Sequence, residues 1–252
     1  MTLILITNDD GYLSPGIEAL EYKLKEIGEI FIVAPDRERS AISYALTLHR
    51  PIKAERIKEN LYAIDGTPTD CINLALGKLL PRKPDLLISG INKGPNLGED
   101  TTYSGTVSGA VQGTLFDVPS FAISVLPDKN GNHDFQLGAQ IAFKLARWIL
   151  NNKLPEETTL NVNVPPPPIK GIKLTKLGKR KYQPDIIEKV NPRGEKYYWI
   201  GNGNPLCLGD ENTDIRAVEN GFISITPLKL DLTDYQALKY LKKKFFLSLN
   251  EE

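Results

Sequence analysis

Histidine and cysteine are scarce in this sequence of 252 residues, which contains two of each. Two cysteines, Cys71 and Cys207, are too few for a disulfide scaffold, and they favour a reducing, cytoplasmic setting. The two histidines, His49 and His133, argue against a histidine-rich zinc site and against most Ser-His-Asp hydrolases, although either histidine could act alone. The scarcity of both residue types therefore argues against three classes of protein: disulfide-rich proteins, histidine-rich zinc proteins and most Ser-His-Asp hydrolases.

The sequence also lacks an excess of charge of either sign and lacks a long apolar run. Lysine and arginine together number 31, and so do aspartate and glutamate. Because this balance gives no basic bias, we expect neither a nucleic-acid polymer nor a membrane surface as a partner. No apolar run approaches the ~20 residues of a membrane span. The first apolar run has no lysine or arginine before it, unlike a signal peptide.

Two nucleotide-binding fingerprints are missing as well. No G-x-G-x-x-G follows the first strand-like run, and no G-x-x-x-x-G-K-[ST] occurs anywhere. The first half of the chain instead alternates helical patterns with five apolar, strand-like runs: LILIT, EIFIVAP, PDLLISGIN, SFAISVL and TLNVNV. Strands that alternate with helices predict an α/β fold with a mostly parallel sheet and right-handed crossovers.

Capping residues predict where two of the helices begin. Ser14 is followed by a proline at the first helical position, and Thr67 is followed by a proline and then by Asp70 three positions later. Gly28 stands where the C-terminal cap of the first helix is expected. These signals place helices after residues 14 and 67.

A run of four prolines, 165–168, marks a break in composition. We therefore divide the chain into a core, residues 1–168, and a C-terminal extension, residues 169–252, part of whose strands complete the core. The extension contains a predicted hairpin around NPRG and a basic terminal helix. Because a lone hairpin is marginally stable, we expect it to pack on the core or on another subunit, with Tyr197, Tyr198 and Trp199 supplying contact area.

Polar side chains collect where the predicted strands end. Asn8, Asp9 and Asp10 follow the first strand, Ser40 lies in the loop after the second, and Asn92 follows the third. These segments converge if the sheet is parallel, and carboxylate, hydroxyl and amide oxygens together suit a hard cation such as Mg²⁺ or Mn²⁺. The alternative for NDDG alone is an Asx turn that ends the strand and leaves Asp10 solvated.

A second constellation lies at the predicted start of a later helix. Ser104 would cap that helix, and Gly105 and Thr106 would present free backbone N–H groups and a hydroxyl to an anion. Asn96, in the preceding loop, could add an amide donor. The alternative is that the glycines in this helix only let it lie close to the sheet. A cation beside an anion-binding helix end is typical of metal-assisted phosphoryl chemistry.

Taken together, these segments resemble the SurE family, the stationary-phase survival-protein nucleotidases. The matching pieces occur in the family's order and span nearly the whole chain: ITNDDG with SPGI, VAPDRERSA, GTPTDC, SGINKGPNLGEDTTYSGTVSGA and TDIRAVENGFISITPL. The resemblance implies a Rossmann-like three-layer α/β core with a C-terminal extension.

The resemblance also implies roles for individual residues. The family's ligands for one divalent cation per subunit, Mg²⁺ or Mn²⁺, fall on Asp9, Asp10, Ser40 and Asn92, with Asp9 and Asp10 in the catalytic role. Its phosphate-binding residues fall on Asn96, Ser104, Gly105 and Thr106.

The activity implied by the resemblance is metal-dependent hydrolysis of nucleoside 5′-monophosphates, and also of 3′-monophosphates, to nucleoside and phosphate. Some family members also trim short polyphosphate. Members form homodimers or homotetramers by exchanging C-terminal elements, which would give the predicted hairpin a partner. Two alternatives stay open: a non-catalytic sensor that binds metal and nucleotide on the same fold, and a metal-dependent transferase that uses a nucleotide donor.

Overall fold

The computed structural model describes residues 1–183, 185–201, 203 and 205–249. Residues 184, 202, 204 and 250–252, which belong to the predicted extension, lie outside the described residues. The strands are β1 (Leu3–Thr7), β2 (Glu29–Pro35), β3 (Ala54–Lys58), β4 (Leu61–Ile64), β5 (Leu86–Lys93), β6 (Ser120–Val125), β7 (Thr158–Val164), β8 (Gly171–Leu174), β9 (Lys179–Lys181), β10 (Ile186–Val190), β11 (Lys196–Ile200), β12 (Leu206–Leu208) and β13 (Phe222–Lys229). The helices are α1 (Pro15–Leu24), α2 (Pro68–Leu74), α3 (Gly105–Leu115), α4 (Phe135–Asn152), α5 (Asp214–Glu219) and α6 (Tyr235–Leu249), with a π-helical turn at Ala75–Leu79 and a 3₁₀ turn at Gly98–Thr102.

Nine of the strands form one sheet, in the order β3-β4-β2-β1-β5-β6-β7-β13-β8. The strands from β4 to β7 in this order are all parallel to one another. Two antiparallel pairings, β3 with β4 and β13 with β7, make the sheet mixed. The predicted α/β class with a mostly parallel sheet is confirmed.

Helices cover both faces of the sheet. Successive side chains of a strand point to opposite faces, so alternate residues of one strand pack against different helices. In β1, Ile4 and Ile6 pack in the cluster that includes buried residues of α1 and α4. Leu3 and Leu5 pack on the other face in the cluster that includes α2. Helix α3 covers the same face as α2 further along the sheet, at β6. The core therefore has the predicted three layers.

Local signals place two helix starts correctly and one helix end wrongly. The Ser14 hydroxyl accepts a hydrogen bond from the Ile17 N–H, and Thr67 and Asp70 form a complete capping box. Gly28 does not cap α1, because that helix ends at Leu24 and its cap residue, Lys25, keeps a right-handed backbone.

Asp70 also holds the loop before β3, and we expect its removal to be destabilising. Its buried carboxylate accepts hydrogen bonds from the Thr67 N–H (2.9 Å) and from the Thr47 N–H and hydroxyl (3.0 and 2.6 Å). Asp70→Ala leaves these donors without a partner and should lower the free energy of unfolding by about 3 kcal/mol. Urea denaturation would measure this, with the exposed Glu59→Ala as control. A loss as small as that of the control would contradict the assignment.

The last third of the chain contributes both to the sheet and to its surroundings. Strands β8 and β13 lie in the nine-stranded sheet. The predicted hairpin forms as the antiparallel pair β10 and β11, with Tyr198 58 %, Trp199 62 % and Ile200 83 % exposed. Among the described residues, no helix has the length and apolar character needed to cross a membrane.

Candidate active site

The segment after β1 turns sharply at Asn8. The Asn8 side-chain oxygen accepts from the Gly11 N–H (3.1 Å), and its amide nitrogen donates to the Gly11 carbonyl (3.0 Å) and the Ser14 hydroxyl (2.7 Å). The Asx-turn alternative thus describes Asn8 correctly. It does not describe the two aspartates that follow, since neither carboxylate takes part in this turn.

Asp9 directly follows the central strand β1 and is buried at the edge of the sheet that the carboxyl ends of the parallel strands form. Its carboxylate lies against the first turn of α3. The Thr106 hydroxyl donates to Asp9 Oδ1 at 2.6 Å. A Cβ atom added at Gly105 would lie 2.8 Å from Asp9 Oδ2, so only glycine leaves room for the carboxylate there. Burial raises the pKa of Asp9 from its ordinary 3.8 to about 6; the Thr106 hydrogen bond opposes this rise, and the charge of Asp10 adds to it. The N-terminal end of α3 therefore supplies part of the positive potential that two adjacent aspartates need.

Asp10 lies at the same edge but is only partly buried. Its Oδ2 accepts from the Lys93 N–H at 3.2 Å, which ties the end of β1 to the end of β5. Burial raises the pKa of Asp10, and the Lys93 N–H opposes that rise. Both carboxylates are thus costly to ionise without a nearby cation.

Ser40 and Asn92 lie beside residues that contact the aspartates. The Arg39 N–H donates to the Asp9 carbonyl at 2.7 Å, and Asn92 directly precedes Lys93. The Ser40 hydroxyl itself donates to Glu38 (2.7 Å), and the Asn92 amide nitrogen donates to the Gly94 carbonyl (2.8 Å). These bonds leave the Ser40 lone pairs and the Asn92 side-chain oxygen without a donor among the described residues.

This donor set fits a hard divalent cation. It consists of two carboxylates, a hydroxyl and an amide oxygen, all at the carboxyl ends of adjacent parallel strands. Asn92, predicted to follow its strand, instead lies within β5, near the end of that strand. In the described part of the chain, no group of three or more His, Cys, Asp or Glu side chains is placed to hold a metal ion. A cation at this edge would therefore need the neutral oxygens as well as the two aspartates.

Of the predicted phosphate-binding residues, Gly105 and Thr106 lie against Asp9, and Ser104 directly precedes them. Asn96 bonds instead to the neighbouring strands β6 and β7. Ser104 caps α3, its hydroxyl accepting from the Val107 N–H at 3.0 Å. The Asn96 amide nitrogen donates to the Ser124 hydroxyl at 2.8 Å, which leaves one N–H and the side-chain oxygen of this amide for other partners.

Two residues of β7 hold the backbone of Asn96 in place, and the sequence does not predict this role for them. Asn161 and Asn163 both donate to the Asn96 carbonyl, at 2.8 and 3.0 Å, and the Asn96 N–H donates to Asn163 Oδ1 at 2.9 Å. The one available signal is a pair of asparagines in TLNVNV, a strand that is otherwise apolar or hydroxyl-bearing. Buried amides in the middle of a sheet need partners, and here the partner is the loop that leads to α3.

The buried Asp9 makes the stability of the metal-free protein depend on pH. Because its folded pKa of about 6 exceeds the unfolded value of 3.8, the folded state binds more protons between these values, and stability falls as the pH rises through that window. The rise corresponds to ~3 kcal/mol. Metal-stripped Asp9→Asn should therefore be more stable than wild type at pH 7.5 and should lose this advantage near pH 4, as measured by urea denaturation. Equal stability at pH 7.5 would contradict the prediction.

Comparisons with known proteins find relatives over nearly the full length of the chain. A family model described as "Survival protein SurE" matches residues 4–184. The protein named 5′-nucleotidase SurE of Pelobacter propionicus is 49% identical over 241 residues, covering 94% of this chain and 97% of its own length. That of Geotalea daltonii is 48% identical over 243 residues, with 95% and 98% covered. The crystal structure of the SurE protein from Aquifex aeolicus superimposes with a TM-score of 0.84 at 44% identity, covering 96% of this chain and 98% of that one.

Proposed function

This chain belongs to the SurE family, and we propose that it is a 5′-nucleotidase whose hydrolysis of nucleoside 5′-monophosphates requires one divalent cation per subunit. Relatives that are 48 to 49% identical over nearly the full length are named 5′-nucleotidases, which supports the reaction class. The observation that supports the metal requirement is the buried Asp9 carboxylate, which adjoins a second carboxylate at the edge where three strands end.

Asp9, Asp10, Ser40 and Asn92 would hold the cation, Mg²⁺ or Mn²⁺. When bound, such a cation neutralises the two carboxylates and polarises a phosphoryl oxygen of the substrate. Thr106 keeps the Asp9 side chain in place through the 2.6 Å hydrogen bond to Oδ1. This leaves the Oδ2 side of Asp9, next to Gly105, for the ligand.

The start of α3 would bind the phosphate group. Its first-turn N–H groups lie at the same edge as the aspartates, and the helix end favours negative charge. The Thr106 hydroxyl gives its one proton to Asp9 Oδ1, so Thr106 would serve the phosphate site through its place in this first turn. Donors fixed in this way stabilise the charge that builds on the phosphoryl oxygens as the ester bond breaks. Asn96, held by Ser124 and β7, would contribute its remaining amide N–H. Water then attacks in line with the departing nucleoside oxygen.

Three finer points are also part of the proposal. Nucleoside 3′-monophosphates would be substrates too, since the contacts proposed above are all to the phosphate group and none is to the ribose. Short polyphosphate would be a side substrate, because it offers the same terminal phosphate. The exposed β10–β11 hairpin, which bears Tyr198 on one side and Trp199 on the other, would join subunits into a homodimer or homotetramer.

Removing the metal should abolish turnover, and this tests the proposal. Protein treated with EDTA and desalted should release no phosphate from a panel of 5′- and 3′-monophosphates and tripolyphosphate, and added Mg²⁺ or Mn²⁺ should restore release. Calorimetric titration with a nucleoside monophosphate on the same samples separates the sensor alternative, which predicts binding without release under every metal. Full release by metal-free protein would contradict the proposed cation requirement.

A further inference from the structure

The 3₁₀ turn Gly98–Thr102 lies between the two parts of the candidate site. It joins the Asn96 loop to Ser104, which starts α3. It also carries the loop of Ser40, because Ser43 donates its hydroxyl to the Thr102 carbonyl (2.6 Å) and its N–H to the Tyr103 carbonyl (3.0 Å). The position of this turn therefore affects both the phosphate-binding helix start and the loop that bears a predicted metal ligand.

A buried carboxylate from the distant end of the chain holds this turn. Asp214, the first residue of α5, has no exposed surface. Its Oδ2 accepts from the Gly98 N–H at 2.9 Å, and its Oδ1 accepts from the Gly178 N–H at 2.7 Å and the Ile215 N–H at 2.8 Å. Hydrogen bonds to a charged acceptor are about twice as strong as neutral ones, so the carboxylate fixes the turn firmly.

The backbone around Asp214 is built for this close contact. Gly98 has a φ of +54°, and a Cβ atom there would lie 2.8 Å from the Gly178 carbonyl oxygen. Beyond it, the Tyr182 hydroxyl donates to both oxygens of Asp100, at 2.8 and 3.0 Å, and Arg180 pairs with the same carboxylate. Residues of the C-terminal extension thus bind the turn at two places, Gly98 and Asp100.

We infer that Asp214 is a positioning residue for the nucleotidase reaction, acting through Gly98 on the Ser104–Thr106 helix start without touching the substrate. This inference rests on the proposed function. It explains why a fully buried acid in the extension points to the catalytic half of the chain. It also gives α5 a role in the reaction, although α5 lies far along the chain from the Ser104–Thr106 helix start.

Asp214→Asn tests the inference, because it keeps the size of the side chain and replaces one acceptor oxygen with a donor. In either orientation its NH₂ group faces a backbone N–H, of Gly98 or of Gly178. We expect kcat/KM for a nucleoside 5′-monophosphate to fall 10- to 100-fold and the Ki of inorganic phosphate, a product inhibitor, to rise at least about fivefold. Asp210→Asn is the matched control, since Asp210 lies in the same segment with an exposed carboxylate paired to Lys176, and both constants should stay unchanged.

The Ki of phosphate separates positioning from a merely structural role. A structural role lowers the amount of folded enzyme and therefore kcat, while KM and the Ki of phosphate stay at their wild-type values; that result would overturn the inference. Faster hydrogen exchange of the Gly98 amide in Asp214→Asn would support it without relying on activity. If wild-type protein releases no phosphate, the proposed function fails, and unchanged Gly98 exchange would then overturn the inference separately.

A second variant decides the question if Asp214→Asn does not fold. Gly98→Ala keeps Asp214 but adds a Cβ atom 2.8 Å from the Gly178 carbonyl oxygen, on a backbone with a φ of +54°, so the Gly98 end of the contact must move. We expect it to shift kcat/KM and the Ki of phosphate in the same directions by about tenfold. Wild-type values for both constants would overturn the inference.

Discussion

Replacing Asp9 with asparagine is expected to lower kcat for nucleoside 5′-monophosphates by about 10³-fold at saturating metal. Asparagine has the same shape as aspartate, and its side-chain oxygen can still accept from the Thr106 hydroxyl. What it removes is the negative charge, and with it the carboxylate that would hold the cation. Phosphate release under Mn²⁺, measured by a coupled colorimetric assay, would show the loss.

The control for this variant is Asp117→Asn. Asp117 is an exposed carboxylate in the loop between α3 and β6, and its positive φ of 55° is one that asparagine tolerates. It should keep wild-type turnover. Circular dichroism should show the same fold for both variants, and near-normal turnover by folded Asp9→Asn would mean that the Asp9 edge is not the reaction site.

Gly105→Ala should produce the next largest effect, a fall of about 100-fold in kcat/KM. Alanine is a better helix former than glycine, so the substitution favours α3 itself. Its Cβ, however, would lie 2.8 Å from both Cβ and Oδ2 of Asp9, which is closer than such contacts allow. The Asp9 carboxylate or the helix start must therefore move, and steady-state kinetics on nucleoside 5′-monophosphates would measure the cost.

Gly77→Ala provides the matched comparison, because a Cβ at Gly77 meets no atom within 4 Å. This glycine lies in the π-helical turn after α2, and the alanine variant should keep wild-type kinetics. If Gly105→Ala were as active as Gly77→Ala, the close approach of α3 to Asp9 would not matter for the reaction.

The parts of the fold that sequence predicts are those governed by local patterns. Strands β1 and β2 are continuous apolar runs because helices cover both faces of the sheet, and Thr67 with Asp70 marks the start of α2 through hydrogen bonds within four residues. Gly28 misleads because a glycine after a helical pattern is typical of a cap, yet α1 ends earlier. A Cβ atom added at Gly28 would lie 2.8 Å from the Thr2 carbonyl oxygen. Glycine is therefore needed here because the backbone packs closely against the start of the chain.

The site is predictable only in part, and the reason is distance along the chain. Parallel topology brings the ends of β1 and β5 together, so Asp10 and Asn92 can be placed at one edge from sequence. The hydrogen bond from Gly98 to Asp214 joins residues 116 positions apart, and those from β7 to Asn96 span 65 and 67 positions. No local pattern encodes such pairs. In a strand buried on both faces, the sequence also does not show which face of the sheet an asparagine side chain lies on.

The measurement that tests the central claim most directly is a titration of metal-stripped protein with Mn²⁺, followed both by electron paramagnetic resonance and by phosphate release from a nucleoside 5′-monophosphate. We predict that wild-type protein binds one Mn²⁺ per subunit and that phosphate release rises in parallel with this binding. Asp9→Asn should bind Mn²⁺ far more weakly and release almost no phosphate. Tight binding of one Mn²⁺ by Asp9→Asn, with wild-type release, would contradict the claim that this carboxylate holds the cation the reaction needs.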